Sequence, residues 1–448
     1  MGTVNNLGNV LLPANSSSAS INVQALLDTA MAAAEQPLTL LQQQQATLQT
    51  QTATLQAIEN DVTALATAVT SLGNSSGGVS ALAAASSDSN VLTASADSTA
   101  ATGNHSITVN SLATTSSDYT NAVASSSTAV ATGSFSLSVG TAAPVTVTVN
   151  STNNTLDGIA SAINGQNLGV TASVVNDATG ARLAIVSNTT GAAGNITIAN
   201  NTTGLTFNQA GTGANASLVV DGIPISSTSN TVTGVIAGVT LNLASAAPGS
   251  VVNVSVSPDT NQAESSINQF VTAWNKVIND LNSQFTVASD GSGAQPLESD
   301  STVRNLQEQL LSAITFSIGG NSGLVNLGSM GINLNNDGTL SVDSGTLSNA
   351  LTNHFSSVQT LLQGTSGFST FMSNVLTQAT DPTQGSITLD LQGMSQNNQD
   401  LTNQISAMQA TLSTQEQNLT AQYDQMQVAL QELPMTQSQL TQQLGALS

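Results

Sequence analysis

Cysteine is absent from all 448 residues, which excludes disulfides, thiolate catalysis and Cys-ligated metal sites together. Cations are nearly absent: Arg182, Lys276 and Arg304 stand against 25 Asp plus Glu, giving a formal charge of −22. Nucleic acids and anionic membrane surfaces are held by clustered Lys and Arg, so neither partner is expected for three scattered cations. The acidity reflects missing bases rather than abundant acids, because charged residues total only 6% and Ser, Thr, Asn and Gln carry the solubility. Aromatics at 2% are too few to build cores, which must come from Val, Leu, Ile and Ala. No uninterrupted apolar run approaches the roughly 20 residues of a membrane span, so no membrane insertion is expected. No Lys or Arg precedes Arg182, so the basic region of a secretory signal is missing. A cysteine-free chain suits export in an unfolded state through a narrow conduit, and equally suits a reduced cytosolic protein.

What is present at both ends is a heptad stripe. Leu38, Leu41, Leu48, Leu55, Ile58, Val62, Leu65, Val69 and Leu72 recur in steps of three, four and seven, with Gln45 and Thr52 in two seam positions. Leu38 to Leu72 would span on the order of 50 Å as a helix, and Gly73, Gly77 and Gly78 close it. Toward the C-terminus Leu401, Ile405, Met408 and Leu412 run in phase, and Gln415 takes a seam place. The step from Leu419 to Tyr423 shifts the rhythm before Met426, Leu430, Leu433, Leu440, Leu444 and Leu447. This helix is expected to begin beyond Gly393 and to kink at Pro434. The two ends are expected to pair near Leu48 to Leu72. The polar seam positions and phase slips leave the outermost parts only conditionally helical, as legs awaiting a partner. Upstream, residues 1–20 are expected to be disordered when free. A helix then starts with Asn22 as N-cap and Ile21 and Leu26 as a hydrophobic staple, and stops or bends before Pro37.

Between the ends the period is two. Ile107-Thr108-Val109, Phe135 to Val139, Val145 to Val149, Val239 to Leu243 and Val252 to Val256 alternate, and Asp177 to Gly180 and Asp221-Gly222 punctuate them. One short helix, with Leu156, Ile159, Ala160 and Ile163 on a face, interrupts this antiparallel region. Asp259 then caps a helix carrying Ile267, Phe270, Trp274, Val277 and Leu281. Further helices run through Val303 to Ile314 and Phe355 to Leu362, and Ile332 to Val342 reads as a hairpin. The expected fold is a multidomain α+β chain with long N- and C-terminal coiled-coil-like helices forming a helical domain and two inserted antiparallel β-rich heads. The boundaries are a flexible N-terminal leg over 1–36 and a helical domain of 37–85 plus 260–448, with residues beyond about 400 as the C-terminal leg. One head comprises 86–131 plus 213–259 and the other 132–212.

Chemistry is scarce. His105 and His354 have neither metal-pair spacing nor a sequence-local acid partner, and there is no Walker loop, nucleophile elbow or dinucleotide loop. Asn333, Asn335, Asp337 and Gly338 mimic half a calcium loop, but Ser344 replaces the twelfth-position Glu, so a hairpin turn is expected. Asn-x-Ser/Thr sequences at Asn188, Asn195, Asn201 and Asn418 are chance in so Asn- and Thr-rich a chain. Trp274, the sole tryptophan, is expected in a core. No catalytic residue, metal or cofactor is expected.

Several segments, in order, resemble one family. Ile21-Asn22-Val23-Gln24-Ala25-Leu26-Leu27 with Ala32 to Leu38 is similar to the opening of the flagellar filament cap (hook-associated protein 2) family. Leu156 to Asn164, Val170 to Val174 and Gly180 to Leu183 resemble its flagellin hook repeat, which falls in the 132–212 head. Val219 to Ile223, Asn230 to Val232, Gly238 to Leu241, Phe270 to Asn275, Gly331-Ile332, Asp337 to Leu340 and Tyr423 to Met426 complete the likeness. Ser20-Ile21-Asn22 departs from the family's Gly-Leu-Asp, Gln36 from its Arg, and Trp274 from its Tyr. The resemblance implies a non-enzymatic cap secreted by the flagellar type III export apparatus with a chaperone, assembling as a ring-shaped homo-oligomer at the extracellular filament tip. Its implied partners are flagellin and the hook–filament junction proteins. A junction protein or flagellin itself is the alternative, and a surface adhesin ranks below both. The residues expected to make helix-seam, oligomer or filament contacts are Leu48, Leu55, Ile58, Val62, Leu65, Leu401, Ile405, Met408, Leu412, Leu419, Met426 and Leu430.

Overall fold

The computed structural model describes residues 23–286 and 294–445. Residues 1–20, Asn22 and Ile21 fall outside them, as does the side chain of Leu26, and with them the expected disorder, cap and staple. Helix α1 (Val23–Ala34) is followed after Glu35 by α2 (Gln36–Gly73). Pro37 sits in the first turn of α2, where a missing N–H costs nothing, so the expected interruption occurs at Glu35. The leg over 1–36 thus contains the helix expected ahead of Pro37, held for a reason given below.

The chain next forms β1 (Leu82–Ser86), β2 (Leu92–Ala96), β3 (Gly103–Ser111) and β4 (Thr115–Thr120). It continues through β5 (Gly133–Val139), β6 (Val145–Val149), α3 (Leu156–Gly165), β7 (Val170–Asp177), β8 (Gly180–Thr190), β9 (Ile196–Ala199) and β10 (Phe207–Gly211). The return path is β11 (Ala216–Val220), β12 (Ile223–Ser227), β13 (Thr231–Ile236), β14 (Val239–Leu243) and β15 (Val252–Pro258). One head stacks the sheets β1-β15-β3-β11-β12 and β13-β14-β2 over a core including Leu92, Ile107, Val109, Leu218 and Val254. The other joins β10-β4-β8-β7, β6-β5-β9 and α3 around Phe135, Leu156, Ile159, Leu183 and Ile185. Among the described residues every strand pairing is antiparallel, as the alternation implies. Strand pairing draws the boundaries differently from the sequence. Thr115–Thr120 bonds to β8 and β10, so the second head begins near residue 115 rather than 132, and Leu82–Ser86 bonds to β15, so the first begins near 82. The Asp221-Gly222 turn joining β11 to β12 has positive φ at both residues, 50° and 81°, the twist a two-residue hairpin needs. Pro224 on the edge strand β12 removes a backbone donor that another chain could use.

The remaining elements build a helical body. They are α4 (Thr260–Gln284), α5 (Ser301–Ala313), the hairpin β16 (Ile332–Leu334) and β17 (Leu340–Val342), α6 (Ser344–Asn353), α7 (Phe355–Gln363), α8 (Phe368–Thr380) and α9 (Ser386–Gly445). Asp259 caps α4 by accepting from the Gln262 amide at 2.9 Å, and Asp300 caps α5 by accepting from Thr302 and Val303. The core gathers Leu55, Ile58, Val62, Leu65, Val69 and Leu72 of α2 with Ile267, Phe270, Trp274 and Leu281 of α4, and with Phe368, Met372 and Leu376 of α8. Trp274 is fully buried and its indole N–H donates to the Gly338 carbonyl at 2.9 Å, so the turn of the hairpin is where the half calcium loop ends. One expectation about α9 is corrected: it starts at Ser386 rather than beyond Gly393, because Gly393 faces open space and costs only about 1 kcal/mol in a helix held by its neighbours. The helix continues through Pro434, the position expected to kink it, where the carbonyl left without a donor lies on an exposed turn that water can satisfy. Among the described residues no helix is long and apolar enough to cross a membrane.

Candidate functional site

The feature that most needs a partner is the pair of terminal helices. Helix α9 has 60 residues, so it is roughly 90 Å long. It lies antiparallel to α2, as three cross-contacts show. Gln45 Nε2 donates to Thr402 Oγ1 at 2.8 Å, Thr52 Oγ1 points at Met394 Sδ at 3.7 Å, and Thr388 Oγ1 points at Glu59 Oε1 at 3.4 Å. On α2 these residues stand at heptad intervals. The two polar seam positions of α2, Gln45 and Thr52, thus each meet a polar or sulfur atom of α9, which is consistent with one register between the helices.

The expected contact residues separate into two groups. Leu55, Ile58, Val62 and Leu65 lie in the core of the body, with exposures of 2% or less, and Leu48 is half-buried just below it. Leu401, Met408, Leu419 and Met426 are half-buried, Ile405 and Leu412 are buried, and Leu430 is exposed. Leu412 packs with Leu27 and Met31 of α1, and Met408, Leu419 and Tyr423 border that small cluster. This explains why α1 is ordered: a helix of 12 residues is marginal alone, and α9 supplies the apolar face it needs. Beyond Tyr423 the stripe changes character. On it Leu430, Leu433 and Leu440 are 37–62% exposed, among Gln, Thr and Ser with Asp424 and Glu432 as the charged side chains of this stretch. Scattered exposed apolar residues need no explanation, but a run along one helix does.

Elsewhere the polar chemistry is committed to structure. His105 Nδ1 lies 2.7 Å from Asp221 Oδ2, and Asp221 also accepts from the Ser106 amide, so its carboxyl is held below the usual range by His105 and Ser106. That pairing locks the β11–β12 turn onto β3. The acid lies more than a hundred residues from His105, so no local motif could announce it. The cations are equally engaged. Arg182 pairs with Asp177 at 2.8 Å, Lys276 bridges Asp61 at 3.0 Å and Asp280 at 2.7 Å, and Arg304 lies over the Phe285 ring and donates to the Glu298 carbonyl. Burial and a hydrogen bond to Asp280 push Asp61 upward; Asp280, desolvated as well, is held down by its hydrogen bonds with Asp61 and Lys276. Among the described residues no group of three or more His, Asp or Glu could hold a metal ion.

Comparison with known proteins agrees with this architecture. Residues 19–116 match the family model for the N-terminus of flagellar hook-associated protein 2, residues 213–434 match that for its C-terminus, and residues 132–189 match the flagellin hook IN motif. The chain is 30% identical over 316 residues to the B-type flagellar hook-associated protein 2 of Pseudomonas aeruginosa, covering 62% of this chain and 66% of that one. It is 28% identical over 326 residues to flagellar hook-associated protein 2 of Escherichia coli, covering 67% and 69%. The chain thus spans about two thirds of the length of these relatives. Its fold is similar to the crystal structure of the flagellar cap protein FliD D1-D2-D3 domains from Escherichia coli, with a TM-score of 0.60 at 26% identity, covering 76% of this chain and 99% of that one.

Proposed function

The chain belongs to the flagellar hook-associated protein 2 family, and from that premise we propose that it is a structural cap at the distal end of the bacterial flagellar filament. Copies assemble as a ring and promote the folding and insertion of exported flagellin. It performs no catalysis. The family models at both ends favour the cap over flagellin or a junction protein. The observation that carries the mechanism is the division of α9. Its upper part is bound into the body through α2, its middle is covered by α1 through a three-residue cluster, and its lower part presents an exposed apolar stripe among side chains that are uncharged but for Asp424 and Glu432. A helix anchored at one end and weakly covered beyond it can keep hold of a surface that changes as each subunit is added, because only the contacts below Tyr423 need to be remade. The missing charge serves the same end: with almost no salt bridges to break, contacts of amides, hydroxyls and leucines can be exchanged at small cost.

The proposed partners are flagellin, the hook–filament junction proteins, the type III export apparatus and an export chaperone, and the proposed location is the extracellular filament tip. Purified chain added to a cap-deficient strain restores filament growth on this reading. Chain truncated after residue 400 does not, although its heads, whose cores are separate from that of the helical body, stay folded. Equal growth with both proteins would contradict the role given to α9.

A further inference from the structure

With no cysteine, methionine is the only sulfur in the chain, and its eight copies are placed unevenly. Met330 and Met372 are sealed in the core of the helical body at 0% exposure. The other described methionines all lie on the two terminal helices, Met31 on α1 and Met394, Met408, Met426 and Met435 on α9. Met394, Met408 and Met426 are half-buried and Met435 is 65% exposed. A small oxidant in water therefore reaches the thioethers of α9 but not those of the body.

These sulfurs differ in what surrounds them. Met394 Sδ lies 3.7 Å from the Thr52 hydroxyl, a group able to turn toward an oxygen placed on that sulfur. Met435 is open to water. Met408 instead packs against the cluster of Leu27, Met31 and Leu412, with Ala34 and Leu38 beside it, all of them apolar. An oxygen added to Met408 Sδ enters the contact between α1 and α9 and finds no donor among these side chains. A desolvated acceptor without a donor opposes the contact that buries it. Helix α1 has little to set against that, because 12 residues are marginal alone and it leans on this small cluster.

We propose that Met408 is a modification site through which hydroperoxides release α1 from α9. The sulfur lone pair attacks one oxygen of the hydroperoxide and the O–O bond breaks as the S–O bond forms. The proton passes to the departing oxygen, which leaves as water or an alcohol, so the thioether is oxidised by two electrons and the peroxide reduced by two. Undocking then bares Met31, which is only 8% exposed while docked, and its oxidation adds a second polar group to the face that must close again. Release persists until the sulfoxide is reduced. It uncovers α9 from Met408 to Tyr423, while the body, whose own methionines are sealed, keeps its fold. Nothing in this step depends on ring assembly or on flagellin.

Hydrogen peroxide is the probe, applied to the full chain under native conditions, with peptide masses locating each sulfoxide and amide hydrogen exchange reporting α1. Sulfoxides are expected at Met408, Met426 and Met435 and not at Met330 or Met372. Exchange over residues 27–34 should quicken roughly tenfold, as one unsatisfied acceptor implies, with residues 55–72 unchanged. In partly oxidised samples the fast-exchanging fraction should match the fraction of Met408 sulfoxide. Met408→Leu, which keeps the apolar volume, should hold α1 slow after the same treatment although Met435 is oxidised. Treating the oxidised wild-type chain with methionine sulfoxide reductases of both epimer specificities should restore the slow rate, a readout that needs no variant. Met408 left reduced when Met435 is fully oxidised overturns the site. A sulfoxide at Met408 with unchanged exchange in α1 overturns the release, and equal acceleration in Met408→Leu overturns the assignment to this sulfur.

Discussion

Leu412→Ala should release α1 from α9 without disturbing the body. Leu412 is 7% exposed and packs with Leu27 and Met31, the other buried apolar residues of that cluster among those described. Truncation removes the equivalent of three methylenes, worth about 0.8 kcal/mol each when buried. Leu→Ala in closed cores costs about 2–5 kcal/mol, and a two-helix contact open to collapse belongs at the low end, so the expected loss is about 2 kcal/mol. Because a free helix as short as α1 is marginal, that loss appears as undocking. At about 1.4 kcal/mol per tenfold, amide hydrogen exchange across residues 27–34 should accelerate roughly 30-fold. Amides of α2 around Leu55 to Leu72, buried among α4 and α8, should keep their rates. Leu430→Ala serves as the control, since Leu430 is already 37% exposed and should change exchange in α1 hardly at all. Unchanged exchange in α1, or equal acceleration throughout the body, would refute the view that α1 is held by this small cluster and independently of the core.

Trp274→Phe removes the donor to the buried Gly338 carbonyl and should cost the body about 1–3 kcal/mol in urea unfolding, with the heads unaffected. Asp118 lies buried in β4 with Oδ2 unpaired, and burial raises its pKa. Its contribution is therefore full below the unfolded carboxylate value, about 3.9, and is lost as pH rises through the folded value. Asp118→Asn should accordingly raise the melting temperature of the second head at pH 7, with the gain shrinking toward pH 4; a constant gain would show that ionisation is not the cause. Pro434→Ala restores an intrahelical donor in α9, so exchange over residues 426–440 should slow, by up to about 100-fold if the full penalty near 3 kcal/mol is recovered.

The parts of this architecture that were legible are those written in local pattern. The stripe from Leu55 to Leu72 is the core face of α2, and Asp259 with Gln262 does cap α4. Asp221-Gly222 does turn a hairpin, because two positive φ angles in sequence demand such residues. What was missed depends on distant pairing. The strand Thr115–Thr120 reads Thr-Ser-Ser-Asp-Tyr-Thr, with no apolar alternation, so only its bonds to β8 and β10 reveal which head owns it. Helix α8 carried a visible signal, Phe368, Met372, Leu376 and Ala379 at helical spacing, between the glycines at 364, 367 and 385. Its burial against α2 and α4 was not readable. The terminal stripes were found, with a paired part near Leu48 to Leu72 and outer legs expected; where along α9 the stripe turns exposed was not readable, because the same leucine spacing serves a buried seam at Leu55 and an exposed one at Leu440.

The central claim is that this chain caps the filament, and the most direct test is to see where it sits. Immunogold labelling of growing filaments in cells that depend on this protein should place label at the distal tip alone, retained as the filament lengthens. Label distributed along the shaft, or fixed at the junction with the hook, would contradict the account.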